Sequence, residues 1–137
     1  MTAMAFGTRA PLVVDTSAWH RQRDAAVIED WEAAVELEQL VSCPVAALEI
    51  LYSAQDEDEL SVIDETLSSL LQAPVTASVC GAALTAAREL SGSHRLPATD
   101  YLIAAAAAEC GFGVLHADWH FDLLATVLEF ESVRLPE

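Results

Sequence analysis

Pro11-Leu12-Val13-Val14-Asp15-Thr16-Ser17 is the stretch on which the reading of the fold turns. A short apolar run without polar alternation reads as a strand buried on both faces. It stops at an acid followed by two hydroxyl residues, all of them types that cap helix N-termini. A strand that runs straight into a helix cap is how a parallel α/β domain starts a crossover.

Outward from this stretch the alternation repeats. Ala25–Val41 reads as a helix, with Val27, Trp31, Ala34, Val35 and Val41 on one stripe and Glu29, Glu32 and Glu36 facing away. Ser42–Val45 reads as a short extended link or strand, punctuated by Pro44. Ala46–Ala54 and Asp58–Leu71 read as helices, and Pro74–Thr76 as a short strand. Val79–Leu90 is helical and closed by Ser91-Gly92-Ser93. Pro97–Cys110 reads as a helix apolar nearly all round, with Gly111 as its stop. Gly113–His116 is a strand, Trp119–Glu129 a helix and Ser132–Leu135 a last strand. Strands alternating with helices predict an α/β domain with a mostly parallel sheet covered on both faces. The length, 137 residues, suits one domain. We expect it to run over residues 11–137, after an N-terminal extension of residues 1–10.

The charge balance narrows the chemistry. There are 22 acids against 6 basic residues, all arginine, and the net charge is −16. The missing lysine excludes a P-loop, a Schiff-base enzyme and a receiver-type phosphoacceptor site. The strong negative charge argues against unaided binding to nucleic acid and for a cation, a basic partner or both. The longest uncharged apolar run, Tyr101–Ala108, is too short for a membrane span. The first residues show no secretory signal. Cys43, Cys80 and Cys110 form no CxxC pair and each has apolar neighbours. They are expected to be buried reduced thiols, which suits a cytoplasmic location and not a structural zinc site.

Four acids stand against apolar surroundings. Asp15 ends the first strand and Asp118 follows the strand Gly113–His116, at the sheet edge where ligands bind; either also suits a plain helix cap. Asp100 is the only charge in the first turns of an otherwise buried helix. Glu49 sits at the edge of an apolar stripe of Val45, Leu48, Leu51 and Tyr52, and also suits a snorkelling surface position. Two carboxylates ~5 Å apart at an effective dielectric of about 20 repel by roughly 3 kcal/mol. Such acids, if they converge without a basic neighbour, need a cation. Hard oxygen ligands favour Mg²⁺ or Mn²⁺.

Val13-Val14-Asp15-Thr16-Ser17-Ala18, Ala47-Leu48-Glu49-Ile50-Leu51, Pro97-Ala98-Thr99-Asp100-Tyr101-Leu102-Ile103-Ala104-Ala105 and Leu115-His116-Ala117-Asp118-Trp119-His120-Phe121 resemble the four acidic motifs of PIN domains. The nearest likeness is to the VapC toxins of bacterial toxin–antitoxin pairs, and it extends from about Leu12 to Leu135. The resemblance implies a three-layer α/β/α sandwich around a mostly parallel central sheet. It makes Asp15, Glu49, Asp100 and Asp118 the catalytic acids and the ligands of Mg²⁺ or Mn²⁺. Thr16 or Ser17 would support the site, as would Asp122. The implied activity is RNA cleavage by metal-activated water. The implied partners are the RNA and a VapB-like antitoxin whose Arg-bearing C-terminal segment enters the acidic groove. A homodimer or a toxin–antitoxin hetero-oligomer is expected, with no membrane.

One position departs from the family pattern. The family commonly has Asp-x-Asp-Phe where this chain has Asp118-Trp119-His120-Phe121. With no second ligand-spaced histidine beside it, His120 reads as a surface residue ahead of a phosphate contact. Arg21, Arg23, Arg88 and Arg95 likewise read as surface charges ahead of RNA contacts. The competing function is a PIN-fold binding module with little or no nuclease activity, which four intact acids oppose. A haloacid-dehalogenase-type phosphatase would want Asp-x-Asp after the first strand and a lysine, and has neither.

Overall fold

The structure is a computed structural model that describes residues 4–90 and 95–137. Its elements run β1 (Leu12–Val14), α1 (Thr16–Trp19), α2 (Ile28–Glu36), β2 (Leu40–Ser42), α3 (Pro44–Tyr52) and α4 (Glu57–Ser69). They continue with β3 (Leu71–Gln72), α5 (Ala77–Leu90), α6 (Ala98–Cys110), β4 (Gly113–His116), α7 (Trp119–Leu124) and β5 (Ser132–Arg134). The strands form one five-stranded sheet in the order β3-β2-β1-β4-β5, and every pairing is parallel. The central strands are buried along their whole length, as their unbroken apolar runs require.

Successive strand residues point to opposite faces and fill two cores. Val13, Val41 and Val114 pack on one side with Ala46 of α3, Val79 and Ala83 of α5, Ile103–Ala107 of α6, and Phe121 and Leu124 of α7. Leu12, Val14, Leu40 and Leu115 pack on the other with Ala18 of α1 and Val27, Trp31 and Ala34 by α2. Trp19 meets Trp31 edge to face at 6.1 Å. The fold is thus the expected three-layer sandwich. Ala5, ahead of the first strand, is buried in the second core. Among the described residues no helix is long and apolar enough to cross a membrane.

Several boundaries differ from the sequence reading. The helix expected over Ala25–Val41 ends at Glu36, and Glu38 adopts φ 53° to turn the chain into β2. Val41 belongs to that strand, opposite Val13. A positive φ at a glutamate leaves no glycine-like stop in the sequence. The edge strand is Leu71–Gln72, not Pro74–Thr76, and it takes the end of the helix expected over Asp58–Leu71. Pairing of Val41 with Leu71 outweighs local helix preference there. α7 stops at Leu124, short of the expected Glu129. In α3 the buried residues are Ala46 and Ile50, while Leu48 and Tyr52 are exposed. That helix is apolar nearly all round, so periodicity could not select its inner face. Cys43 is buried as expected, but Cys80 and Cys110 are exposed, because their apolar sequence neighbours face the core and they do not. Ser91-Gly92-Ser93 lies outside the described residues.

Gly111 closes α6 with φ 73°, and Gly113 brings β4 tight against its neighbours. A Cβ at Gly113 would stand 2.8 Å from the Glu131 carbonyl oxygen and 2.9 Å from Leu12 Cδ2. Gly113→Ala is therefore expected to cost about 1–3 kcal/mol by overpacking. Urea melts at neutral pH check this, and an unchanged midpoint would show that β4 can yield.

Candidate metal centre

The sheet order reverses direction between β1 and β4, where neighbouring crossovers leave to opposite sides. Ligand sites of open parallel sheets form at the carboxyl ends of the strands flanking such a point. β1 and β4 are in register with Val14 opposite Leu115, and the Asp15 N–H extends the ladder to the Leu115 carbonyl at 3.0 Å. Asp15 therefore leaves the end of β1 in fixed orientation. It is only 5% exposed, and it caps α1. Its Oδ2 accepts from the Ser17 N–H at 3.0 Å and from Ser17 Oγ–H at 2.5 Å. Ser17 Oγ in turn accepts from the Ala117 N–H at 3.0 Å, which ties the loop after β4 to the first acid.

Asp118 caps α7 by accepting from the His120 N–H at 3.1 Å. Its own N–H donates to His116 Nδ1 at 3.1 Å. His116 is wholly buried, and burial above all holds its imidazole below the usual range, against the pull of Asp122. The neutral ring that accepts at Nδ1 carries its proton on Nε2 and donates it to Ser132 Oγ at 2.7 Å. Ser132 donates onward to Asp122 Oδ1 at 2.7 Å, and Arg134 Nη1 donates to Asp122 Oδ2 at 3.2 Å. Asp122 thus faces β5, and it reaches Asp118 through Ser132 and His116.

Asp100, in the first turn of α6, is 7% exposed. Burial pushes its carboxyl up to about 6; the His120 hydrogen bond pulls down, and the charges of Asp15 and Asp118 push up. His120 corrects the sequence reading. It is not a surface residue: its Nδ1 lies 2.8 Å from Asp100 Oδ2 and 3.2 Å from Asp118 Oδ1. The cap turn at Asp118 folds the second residue of α7 back over the cluster, a local geometry that composition does not reveal. Glu49 is exposed on α3, and its pKa is raised by partial burial first and by the Asp15 charge second. It lines a groove with Thr16, His20, Leu48, Tyr52 and Ser53. The charges of Asp15 and Asp118 thus both act on Asp100, and that of Asp15 acts on Glu49 as well. His116 is the site residue that sequence reasoning missed, and His120 is one that it singled out but read as surface. Their spacing around Asp118, as His-x-Asp-x-His, was the available signal.

The donor set suits a divalent cation. Asp100, Asp118 and His120 each offer a ligand atom within 4.8 Å of the others. Thr16 Oγ1, next to Asp15, is buried without a hydrogen-bond partner. Buried oxygen atoms are normally satisfied, so an orphan beside converging acids fits a missing polar group.

A parallel sheet that gathers carboxylates at its switch point defines an α/β domain built around an acidic centre. Residues 12–127 match the PIN domain family. Ribonuclease VapC18 of Mycobacterium tuberculosis (strain ATCC 25618 / H37Rv) is 36% identical over 119 residues, 83% of this chain and 87% of that protein. A VapBC-5 structure from Mycobacterium tuberculosis superposes with a TM-score of 0.65 at 23% identity, covering 92% of this chain and 99% of that one. DNA-bound VapBC from Salmonella typhimurium gives 0.72 at 17% identity, covering 90% and 98%. The chain belongs to the PIN domain family, among its VapC-type members.

The raised pKa of Asp100 has a signed consequence for stability. Its carboxyl binds a proton more tightly folded, near 6, than unfolded, near 3.8. Stability contributed by Asp100 therefore falls as pH rises across that window. In metal-free protein, Asp100→Asn is expected to exceed wild type at about pH 7.5, by at most about 3 kcal/mol. The gap should close as pH is lowered from about 6 toward 4. Denaturant melts of both proteins across this range measure it; a gap independent of pH would place the Asp100 charge outside the cluster.

Proposed function

We propose that this protein is a metal-dependent endoribonuclease, the toxin of a VapBC-type pair, with residues 11–137 as its single nuclease domain. One observation carries the reading. Carboxylates meet at the switch point of a sheet whose chain is 36% identical to a protein named a ribonuclease. The two structural neighbours described above are VapBC structures, one from a toxin–antitoxin system and one bound to DNA, which supports a VapB-like antitoxin as partner.

Asp15, Glu49, Asp100 and Asp118 would hold Mg²⁺ or Mn²⁺. Such an ion supplies positive charge that offsets the carboxylates and polarises a phosphodiester for hydrolysis. The chain's own groups do the rest. Ser17 engages Asp15 Oδ2 twice and so fixes the carboxylate plane. His116 holds the Asp118 backbone in place. Glu49 is the exposed member of the four and lines the groove with Thr16 and His20, which puts it on the side from which substrate would reach the centre. Thr16 and Ser17 support the site from α1, and Asp122 supports it from a distance through Ser132.

The groove beside Glu49 shares His20 with a second groove lined by Trp19, Arg23 and Glu59. We take the two as one RNA path, with Arg23 meeting a phosphate. The antitoxin would enter the same path with an arginine, which pairs with carboxylates through two parallel hydrogen bonds. At a net charge of −16 the attraction of such a segment is strong at low salt. The toxin would act in the cytoplasm as a homodimer or within the hetero-oligomer.

Asp15→Asn is expected to lower RNA cleavage with Mn²⁺ by about 100-fold or more, since it removes a charged ligand without changing shape. Gel assays on RNA, single-stranded DNA and a phosphomonoester, with wild type and variant, decide this. Cleavage by the variant at the wild-type rate would remove Asp15 from the site, and no RNA cleavage by wild type would overturn the proposal. Separately, Mn²⁺ at about 100 times its dissociation constant should stabilise the fold by about 2.7 kcal/mol. Melting curves that coincide with and without the ion would contradict binding to the folded state.

A further inference from the structure

The family pattern puts a second acid two residues after Asp118, and this chain puts an imidazole there. We propose that His120 is itself a metal ligand, so that the centre is a mixed imidazole–carboxylate site that ranks first-row transition ions above Mg²⁺. The inference rests on the reading of this centre as a divalent-metal nuclease site and adds a ligand and a selectivity to it.

The geometry points this way. His120 Nδ1 faces two acceptors at once, Asp100 Oδ2 at 2.8 Å and Asp118 Oδ1 at 3.2 Å. One N–H can make only one well-aligned hydrogen bond, so the second carboxylate is poorly served by a proton. A cation among the three atoms serves all of them. Adjacent ligands in an octahedral shell, each about 2.1 Å from the ion, lie about 3 Å apart. Both observed distances are close to that value. The neutral ring can bind through Nδ1 while its proton sits on Nε2.

The ring is also held in place before any ion arrives. The His120 backbone N–H is bonded to Asp118 Oδ1, and the Trp119 indole meets the imidazole edge to face at 4.5 Å. The three candidate ligand atoms, on Asp100, Asp118 and His120, all lie within 4.8 Å of one another.

The chemical consequence is selectivity. Imidazole nitrogen suits Mn²⁺ and later first-row ions far better than Mg²⁺, which holds to oxygen. Replacing a carboxylate by a neutral ring also removes one negative charge from the ligand set, so the site depends less on charge and more on ligand type.

The test uses the full chain loaded with Mn²⁺ and pulsed electron paramagnetic resonance, which detects nitrogen bound directly to the ion. Wild type should show ¹⁴N coupling, replaced by ¹⁵N coupling when histidine alone is labelled with ¹⁵N. In His120→Asp the coupling should vanish while Mn²⁺ still binds. Its Mn²⁺-to-Mg²⁺ affinity ratio by titration calorimetry should fall by about tenfold. Mn²⁺ bound by wild type without nitrogen coupling overturns the inference and leaves the metal-nuclease reading standing. Coupling that persists in His120→Asp overturns it too, by assigning the nitrogen to another histidine. No binding of Mn²⁺ by wild type overturns both. The labelled wild type decides the ligand without any substitution, so a poorly folding variant does not obscure the result.

Discussion

Like charges gather at one edge of this sheet because β1 and β4 lie side by side and point the same way. With Val14 opposite Leu115, the acids that follow the two strands emerge together. The sheet gains its stability from Leu12, Val13, Val114 and Leu115, all wholly buried, and none of that apolar packing depends on the acids. The repulsion is imposed on the site by a scaffold strong enough to bear it. Ser17 shows how closely the two are joined, since one hydroxyl binds both the Asp15 carboxylate and the loop after β4.

Each acid meets the repulsion differently. Asp15 is answered by two donors from Ser17, and Asp118 by a cap hydrogen bond. Asp100 is buried in the first turn of α6, and burial raises its proton affinity in spite of the His120 hydrogen bond. Glu49 remains in contact with water. A gradient runs from buried carboxyl to exposed carboxyl across a few side chains. Buried charge without compensation is costly, and this centre is compensated only in part by its own residues. A cation or a guanidinium group would answer that demand by the same physics.

Much of this was legible in the sequence, for reasons that differ by residue. Gly113–His116 is bounded by a left-handed glycine stop and an abrupt return to polar residues, so both ends can be read. Leu71–Gln72 is two exposed residues whose strand character exists only through β2, and no local signal announces it. In α3 the apolar residues surround the axis, so Leu48 and Tyr52 look like core and are not. The acids stood out because a charge in an apolar stretch is rare. His116 did not, and His120 stood out only as a departure whose role was read as surface, because its meaning here depends on a turn made by its neighbour.

The placing of the indoles has an optical consequence. Trp19 and Trp31 share the core beneath α2, whereas Trp119 is 47% exposed and touches the ring of His120. Intrinsic fluorescence from this chain is therefore two signals in one spectrum. The blue part follows the integrity of the packed layer, and the red part follows the state of the acidic edge. Excitation at the red edge would favour Trp119, so occupancy of the centre can be followed without a label.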